Sequence, residues 1–425
     1  MVYPSSVADI EGRMTTLATS ARCRKTALAH ATIEGRTVSY LEIAPATATS
    51  ATPVAMFVGG LHSREWAPPD ALLSFAERLV QAADAGTTMH YPAFRDGPVR
   101  YASSTVNRTD VQRFVDDVVI IILPMANPDG RNHSLTRNTA GDTGPQGARW
   151  RGNRRVSGPG SCVTHGVDLN RNFASQWDLN PYYTSNDETW ILTNGARGTC
   201  DPDPAGDPIF RGASAASEPE TQNVQELVDT FRPQFFMDTH SYGRSIALPW
   251  GVARNQSATP SQNFGNAALD RTAAPGSGRD VIGGTYEEYV PDTADIPLQR
   301  WQRTMATHMI DTIRSQAGAD ATARARSTYT AVPTVDFYLP YFPGISGAPL
   351  PGACDDYAFG RPFRANEPMA FACTLECGYA TQGEMGFFPP TGVKYEKIER
   401  EVHAAMWALL DVASGFGVPG TGAPL

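Results

Sequence analysis

The sequence predicts an α/β protein, a single domain with a mixed, twisted, mainly parallel central sheet flanked by helices. Three observations lead there. Strand-like and helix-like segments alternate along the chain. The run VVIIILPMA at 118–126 is continuously apolar, as a strand buried on both faces should be. No internal repeat and no domain-sized linker divides the 425 residues, so one domain spans 1–425, with its core at about 20–415.

The elements follow in order. TVSYLEIA (37–44) and PVAMFVGG (53–60) read as strands, a helix is predicted over 68–83, and VVIIILPM supplies the next strand. Residues 127–215 are crowded with Gly, Pro, Asn, Asp and Arg, and irregular segments of that length in a compact domain are usually functional. SEPETQNVQELVDTF (217–231) reads as an amphipathic helix, with Ser217 at its N-cap and Pro219 and Glu220 in the first turn. QFFMDTH (234–240) is a strand, and 250–300 is a second loop-rich region. QRWQRTMATHMIDTIRSQ is helical, PMAFACTLE is a strand, and KIEREVHAAMWALLDVAS is a closing amphipathic helix.

Composition narrows the function. With 19% charged and 41% hydrophobic residues, the chain is neither disordered nor membrane-spanning, and its longest apolar run falls far short of the roughly 20 residues a bilayer requires. A net charge of -9 argues against nucleic acid as a partner. RWRGNRR at 149–155 runs against that balance and by itself reads as a solvated loop. The N-terminus carries no export-signal pattern, so the chain is either cytoplasmic or a mature form whose signal has been removed. Six cysteines form no CxxC pair. Cys162 and Cys200 lie in Gly, Pro and Asp-rich sequence that suits a disulfide and an oxidising compartment, two free thiols being the alternative. Cys354 could pair with Cys373 or Cys377, and no spacing rule decides between them. The expected setting is secreted, with no membrane association.

The chemistry begins at GGLHSREW (59–66), where two glycines end a buried strand and His62, Arg64 and Glu65 follow within four residues. His62 and Glu65, three apart on a turn, can bring a ring nitrogen and a carboxylate to one metal ion. His240 ends the strand QFFMDTH in the same manner, and two nitrogens with one carboxylate make the ligand set of a catalytic zinc with a fourth position open. Glu376 closes the strand PMAFACTLE and reads as either a paired structural charge or a general base; a zinc site beside it favours the base. In GVDLNRNF (166–173), Asn170 and Arg171 offer a fork of N–H donors suited to a substrate carboxylate, the alternative being an ordinary exposed turn.

GLHSREW, NPDG (127–130), RWRGNRR, GVDLNRNF, DTHSYG (238–243) and the strand ending in Glu376 occur in an order that resembles the zinc carboxypeptidases of the pancreatic A and B type. The resemblance runs from EGRTVSYLEI (34–43) to TLECG (374–378). It implies one Zn2+ per chain on His62, Glu65 and His240, with Glu376 as the general base. It implies that Arg151, the arginine following Trp150, polarises the scissile carbonyl, and that Asn170 and Arg171 clamp the substrate's terminal carboxylate. Arg64 and Tyr242 would lie nearer the penultimate residues, with a cis bond between Ser241 and Tyr242. A mobile lid tyrosine is implied at Tyr341, with Tyr338 the alternative. Asp355, just before the Asp356–Tyr357 pair, stands where relatives selective for C-terminal Lys or Arg carry an acidic residue, which leaves basic and broad or apolar preference both open. Segments 131–165, 180–215 and 250–300 exceed what the family core needs and would shape the mouth of the site.

The expected function is therefore zinc-dependent removal of the C-terminal residue from peptides or proteins by water activated by zinc and Glu376, in a monomer. The alternatives are a carboxypeptidase acting on peptidoglycan stem peptides and a catalytically silent peptide-binding relative.

Overall fold

The computed structural model describes residues 3–137, 147–156, 166–175, 177, 210–249, 251, 297–334, 350–365 and 370–415. Twelve strands are present among them: β1 (Cys23–Ala27), β2 (Ser39–Ile43), β3 (Val54–Gly59), β4 (Met89–Tyr91), β5 (Phe94–Asp96), β6 (Val99–Tyr101), β7 (Ser104–Val106), β8 (Val119–Leu123), β9 (Phe235–Ser241), β10 (Ser245–Leu248), β11 (Thr330–Pro333) and β12 (Phe371–Cys377). Eight of them form the central sheet, in the order β1-β2-β8-β3-β9-β12-β10-β11, and two small pairs, β4 with β7 and β5 with β6, stand apart. The middle of the sheet, β8-β3-β9-β12, is wholly parallel. Antiparallel pairings lie outside it, at β1 with β2, β2 with β8 and β12 with β10.

That arrangement follows from the residues. VAMFVG, VIIIL and FFMDTHS are buried along their whole length, which only an inner strand covered on both faces can be. β1, CRKTA, has only Cys23 buried and takes the edge. The helices are α1 (Val7–Leu17), α2 (Ala67–Ala85), α3 (Arg108–Asp117), α4 (Pro128–Thr136), α5 (Pro219–Phe231), α6 (Pro297–Ser315), α7 (Ala321–Arg326), α8 (Cys354–Ala365) and α9 (Val393–Gly415). They cover the sheet in two groups. In the first, α9 packs on α2, α3 and α6; in the second, α8 packs on α5, β9 and β12.

The structure extends the closing helix back from Lys397 to Val393 and shifts the start of α5 by one residue. Glu218 rather than Ser217 stands at the N-cap position of α5, without a side-chain capping bond: Pro219 takes the first helical position, where its missing N–H costs nothing, and Ser217 Oγ donates to Glu218 Oε1 at 2.8 Å. The thiols of Cys354, Cys373 and Cys377 are buried and free, so no bridge joins Cys354 to either of the others. Cys162, Cys200, Tyr338 and Tyr341 lie outside the described residues, as do most of the three long insertions. Of the described helices, none is long and apolar enough to cross a membrane.

Parallel strands end together, so everything that follows the carboxyl ends of β8, β3, β9 and β12 is delivered to one place. β3 delivers His62 and Glu65, β9 carries His240, β12 carries Glu376, and β8 runs into Asn127. Gly60 permits the exit from β3. Its φ of +69° is open to glycine at little cost, and Pro69, Met125 and Pro124 crowd the space where a Cβ would sit. The ladder continues past the strands through Ala126 N to Gly59 O and Asn127 N to Gly60 O, each at 3.0 Å.

Candidate active site

His62, Glu65 and His240 are buried, and one ligand atom from each lies within 4.8 Å of the others. His62 Nδ1 is 2.7 Å from Glu65 Oε1, and His240 Nδ1 is 2.9 Å from both His62 Nδ1 and Glu65 Oε2. Ser241 N donates to Glu65 Oε2 at 3.1 Å and fixes that carboxylate.

The outer ring nitrogens explain why the inner ones face each other. His62 Nε2 is 3.0 Å from Asp168 Oδ1, and His240 Nε2 is 2.7 Å from Asp238 Oδ2. An ionised carboxylate only accepts, so Asp168 and Asp238 keep a proton on each Nε2, and each Nδ1, on the Glu65 side, is the nitrogen that would offer a lone pair to a metal ion. Two imidazole nitrogens and one carboxylate oxygen, brought together and backed by outer carboxylates, form a donor set that fits zinc.

Electrostatics agrees with this arrangement. Burial opposes ionisation of Asp168, but the adjacent Arg151 and His62 outweigh it and hold the carboxyl well below its ordinary range. Burial would also lower the pKa of His240, yet Asp238 and Glu65 raise it well above the usual histidine value. Such an excess of negative charge around a ring nitrogen is what a dication would neutralise.

Glu376 pairs in parallel register with His240, so the two side chains leave adjacent strands at the same level. It alone in β12 keeps part of its surface open. Desolvation and the neighbouring Glu65 push its pKa up to about 8 against the opposing pull of His240 and Arg151. The carboxylate therefore holds a proton far more readily than an ordinary glutamate, as a general base must.

Arg151 lies beside this group, with its Nε donating to Asp168 Oδ2 at 2.8 Å. Asp168 thus bonds His62 with one oxygen and Arg151 with the other. It also caps a 3-10 turn, Leu169–Arg171, by accepting from Asn170 N at 3.0 Å. That turn places Asn170 Nδ2 3.2 Å from His240 Nε2, while Asn170 Oδ1 accepts from Cys354 N at 2.8 Å. Arg171 follows, buried, within the field of Asp168 and Asp356. The fork pair and the three metal-facing residues are therefore in one neighbourhood.

The remaining expected residues divide into two places. The Ser241–Tyr242 bond is cis, and Tyr242 packs on Phe387 with ring centroids 4.8 Å apart. The Arg64 guanidinium lies over the same Phe387 ring at 4.1 Å, so Arg64 and Tyr242 share one wall. Asp355 and Asp356 are buried in the first turn of α8. Both oxygens of Asp356 accept from Gly251 N, at 3.0 and 2.8 Å, whereas Asp355 Oδ2 accepts from Thr334 Oγ1 at 3.2 Å.

Reading the sequence missed Asp168, Asp238 and Phe387. The first two lay inside motifs already singled out. Strand alternation puts residues i and i+2 on one face, so Asp238 in DTHSYG had to project beside His240. Phe387 gave no such sign, because no motif contains it.

A sequence model of the zinc carboxypeptidase family matches residues 14–407, and the chain belongs to that family. Among its relatives is carboxypeptidase B of Helicoverpa zea, 28% identical over 222 residues, which are 51% of this chain and 39% of the relative. Another is carboxypeptidase O of Bos taurus, 25% identical over 228 residues, covering 53% of this chain and 47% of the relative. The match thus spans less than half the length of either. In fold, the chain is similar to bovine thrombin-activatable fibrinolysis inhibitor, solved in complex with tick carboxypeptidase inhibitor. The TM-score is 0.58 at 16% identity, over 96% of this chain and 97% of the other.

Proposed function

We propose that the protein is a zinc-dependent exopeptidase, one catalytic domain that releases the C-terminal residue of peptides or proteins. The observation that carries this reading is the convergence of His62 Nδ1, His240 Nδ1 and the Glu65 carboxylate one strand from Glu376. His62, Glu65 and His240 would hold the zinc, which when bound supplies a Lewis acid that polarises a carbonyl and acidifies water. Asn170 and Arg171 bind the terminal carboxylate and so present the last peptide bond to the site. Arg151 stabilises the negative charge that develops on the carbonyl oxygen. Glu376 takes a proton from the attacking water as the new C–O bond forms, then passes it to the nitrogen as the C–N bond breaks. Peptide C-termini are the substrate, the protein acts outside the cell, and a single chain suffices because every group named comes from it.

Asp355 gives the reading a pH signature. Burial and the nearby Asp238 push its pKa up to about 7, so it is mostly neutral below that value and charged above it. A raised carboxyl pKa delays the negative charge, and preference for a basic C-terminal residue should therefore grow as pH rises.

Blocked dipeptides ending in Arg, Lys, Phe, Leu and Glu, assayed with and without a zinc chelator, test both statements. Release should be chelator-sensitive, and the ratio of kcat/KM for Arg over Leu should rise up to roughly tenfold between about pH 6 and 8, following the ionised fraction of Asp355. Asp355→Asn should flatten that rise. Chelator-insensitive release counts against the zinc site, while a flat ratio in the parent removes Asp355 from the specificity pocket.

A further inference from the structure

NPDG at 127–130 and the buried Ser63 perform none of the steps above, yet they join the two parts of the site that must act together. The fully buried Asn127 donates its Nδ2 to two carbonyl oxygens, Leu61 O and Gly152 O, each at 3.0 Å. Leu61 precedes the metal-facing His62, and Gly152 follows Arg151. One side-chain amide therefore spans from the metal-ligand turn to the arginine loop. Its orientation is set by Oδ1, which accepts from Gly130 N at 2.9 Å as the cap of α4.

Ser63 makes the second tie. Its backbone N donates to Arg151 O at 3.0 Å, and its Oγ lies 3.0 Å from Trp150 O and Arg151 O and 2.9 Å from Gly152 O. Gly130 leaves room for this joint, since a Cβ there would come within 2.6 Å of both Asn127 Nδ2 and Ser63 Oγ. Asp129 anchors the start of α4, accepting from Arg36 Nη1 at 2.6 Å and Glu34 N at 2.7 Å. The whole motif thus holds a fixed register between two backbone segments.

We infer that Asn127, assisted by Ser63, is a positioning residue that sets Arg151 against the metal-ligand turn. This rests on the reading of Arg151 as the group that stabilises charge on the scissile carbonyl. A guanidinium aligned with that oxygen contributes only if its distance from the attacking side is fixed, and Asn127 fixes it through the backbone on both sides.

Asn127→Asp keeps the shape and the capping oxygen but sets a carboxylate oxygen against Leu61 O and Gly152 O. The variant should still bind one zinc per chain and keep KM within about twofold, while kcat falls by about 10²-fold, the scale expected when a catalytic group is misplaced by roughly 1 Å. In an Arg151→Ala background the same substitution should cost almost nothing more, because the group it acts through is gone. Ser63→Ala should give a smaller loss of the same kind, and it carries the test if Asn127→Asp does not fold. Equal fold-losses in the parent and Arg151→Ala backgrounds would overturn this inference alone. An Arg151→Ala enzyme as fast as the parent would overturn the reading of Arg151 and this inference with it.

Discussion

Glu376→Gln should lower kcat by about 10³-fold, within the range for loss of a general base, and should leave KM and zinc content unchanged. Gln preserves the size and hydrogen-bonding reach of the side chain but cannot accept a proton. Glu376 is not among the three groups that converge to hold a metal, so its replacement leaves the donor set complete. Nor should the fold suffer. Desolvation and Glu65 already make the ionised form unfavourable, and an uncharged amide removes that conflict. The expected pattern is an inactive protein, loaded with zinc, whose Tm equals or exceeds that of the parent. If kcat and Tm fell together, the loss would come from structure, and a Glu376→Gln enzyme with parental kcat would remove this residue from the mechanism.

His240→Ala should abolish activity by a different route, through the metal. Removing one of the three proposed ligands also deprives Asp238 of a partner, its Oδ2 losing the ring nitrogen 2.7 Å away. Among the described residues, the buried carboxylate is then left with only the weak Cys354 thiol as a partner, and the fold is weakened as well as the site. Thermal unfolding separates the two losses. Zinc binds only the native arrangement, so for the parent, zinc at 100 times its Kd should raise stability by about 2.7 kcal/mol. For His240→Ala the zinc-dependent increase should vanish, on top of a lower Tm without metal. An undiminished zinc-dependent rise in the variant would mean that the metal sits elsewhere.

Much of this architecture could be read from the residues, and the reason is burial. Inner parallel strands such as VIIIL and VAMFVG are continuous apolar runs, and a run too short for a membrane has few other uses. The strands that escaped notice are those whose sequences carry no such signature. β1 is the partly exposed, charged CRKTA, while β10 and β11 have four residues each, too few to show a period. The strands β4 to β7 have three each. α1 was legible in principle, because Ser6 and Asp9 form a reciprocal capping box at its start.

The site divides in the same way. His62, Glu65 and His240 announce themselves because polar groups at the ends of buried strands need a reason to be there. Asp238 stood in the motif of His240 and Asp168 in GVDLNRNF, and both were passed over, since a supporting carboxylate looks like any other until the ring nitrogen it holds is seen. Asn127 and Ser63 are harder still. Their partners are backbone carbonyls of a loop about 25 and 90 residues away, and no local pattern encodes such a contact.

Removal of single residues from a free C-terminus can be tested by mass spectrometry on one peptide in two forms. The zinc-loaded protein is incubated with the peptide as free acid and as C-terminal amide. The free acid should shorten one residue at a time from its C-terminus while the amide, which offers Asn170 and Arg171 no carboxylate, stays intact. Internal cleavage, or trimming of the amide at the rate of the acid, would contradict it.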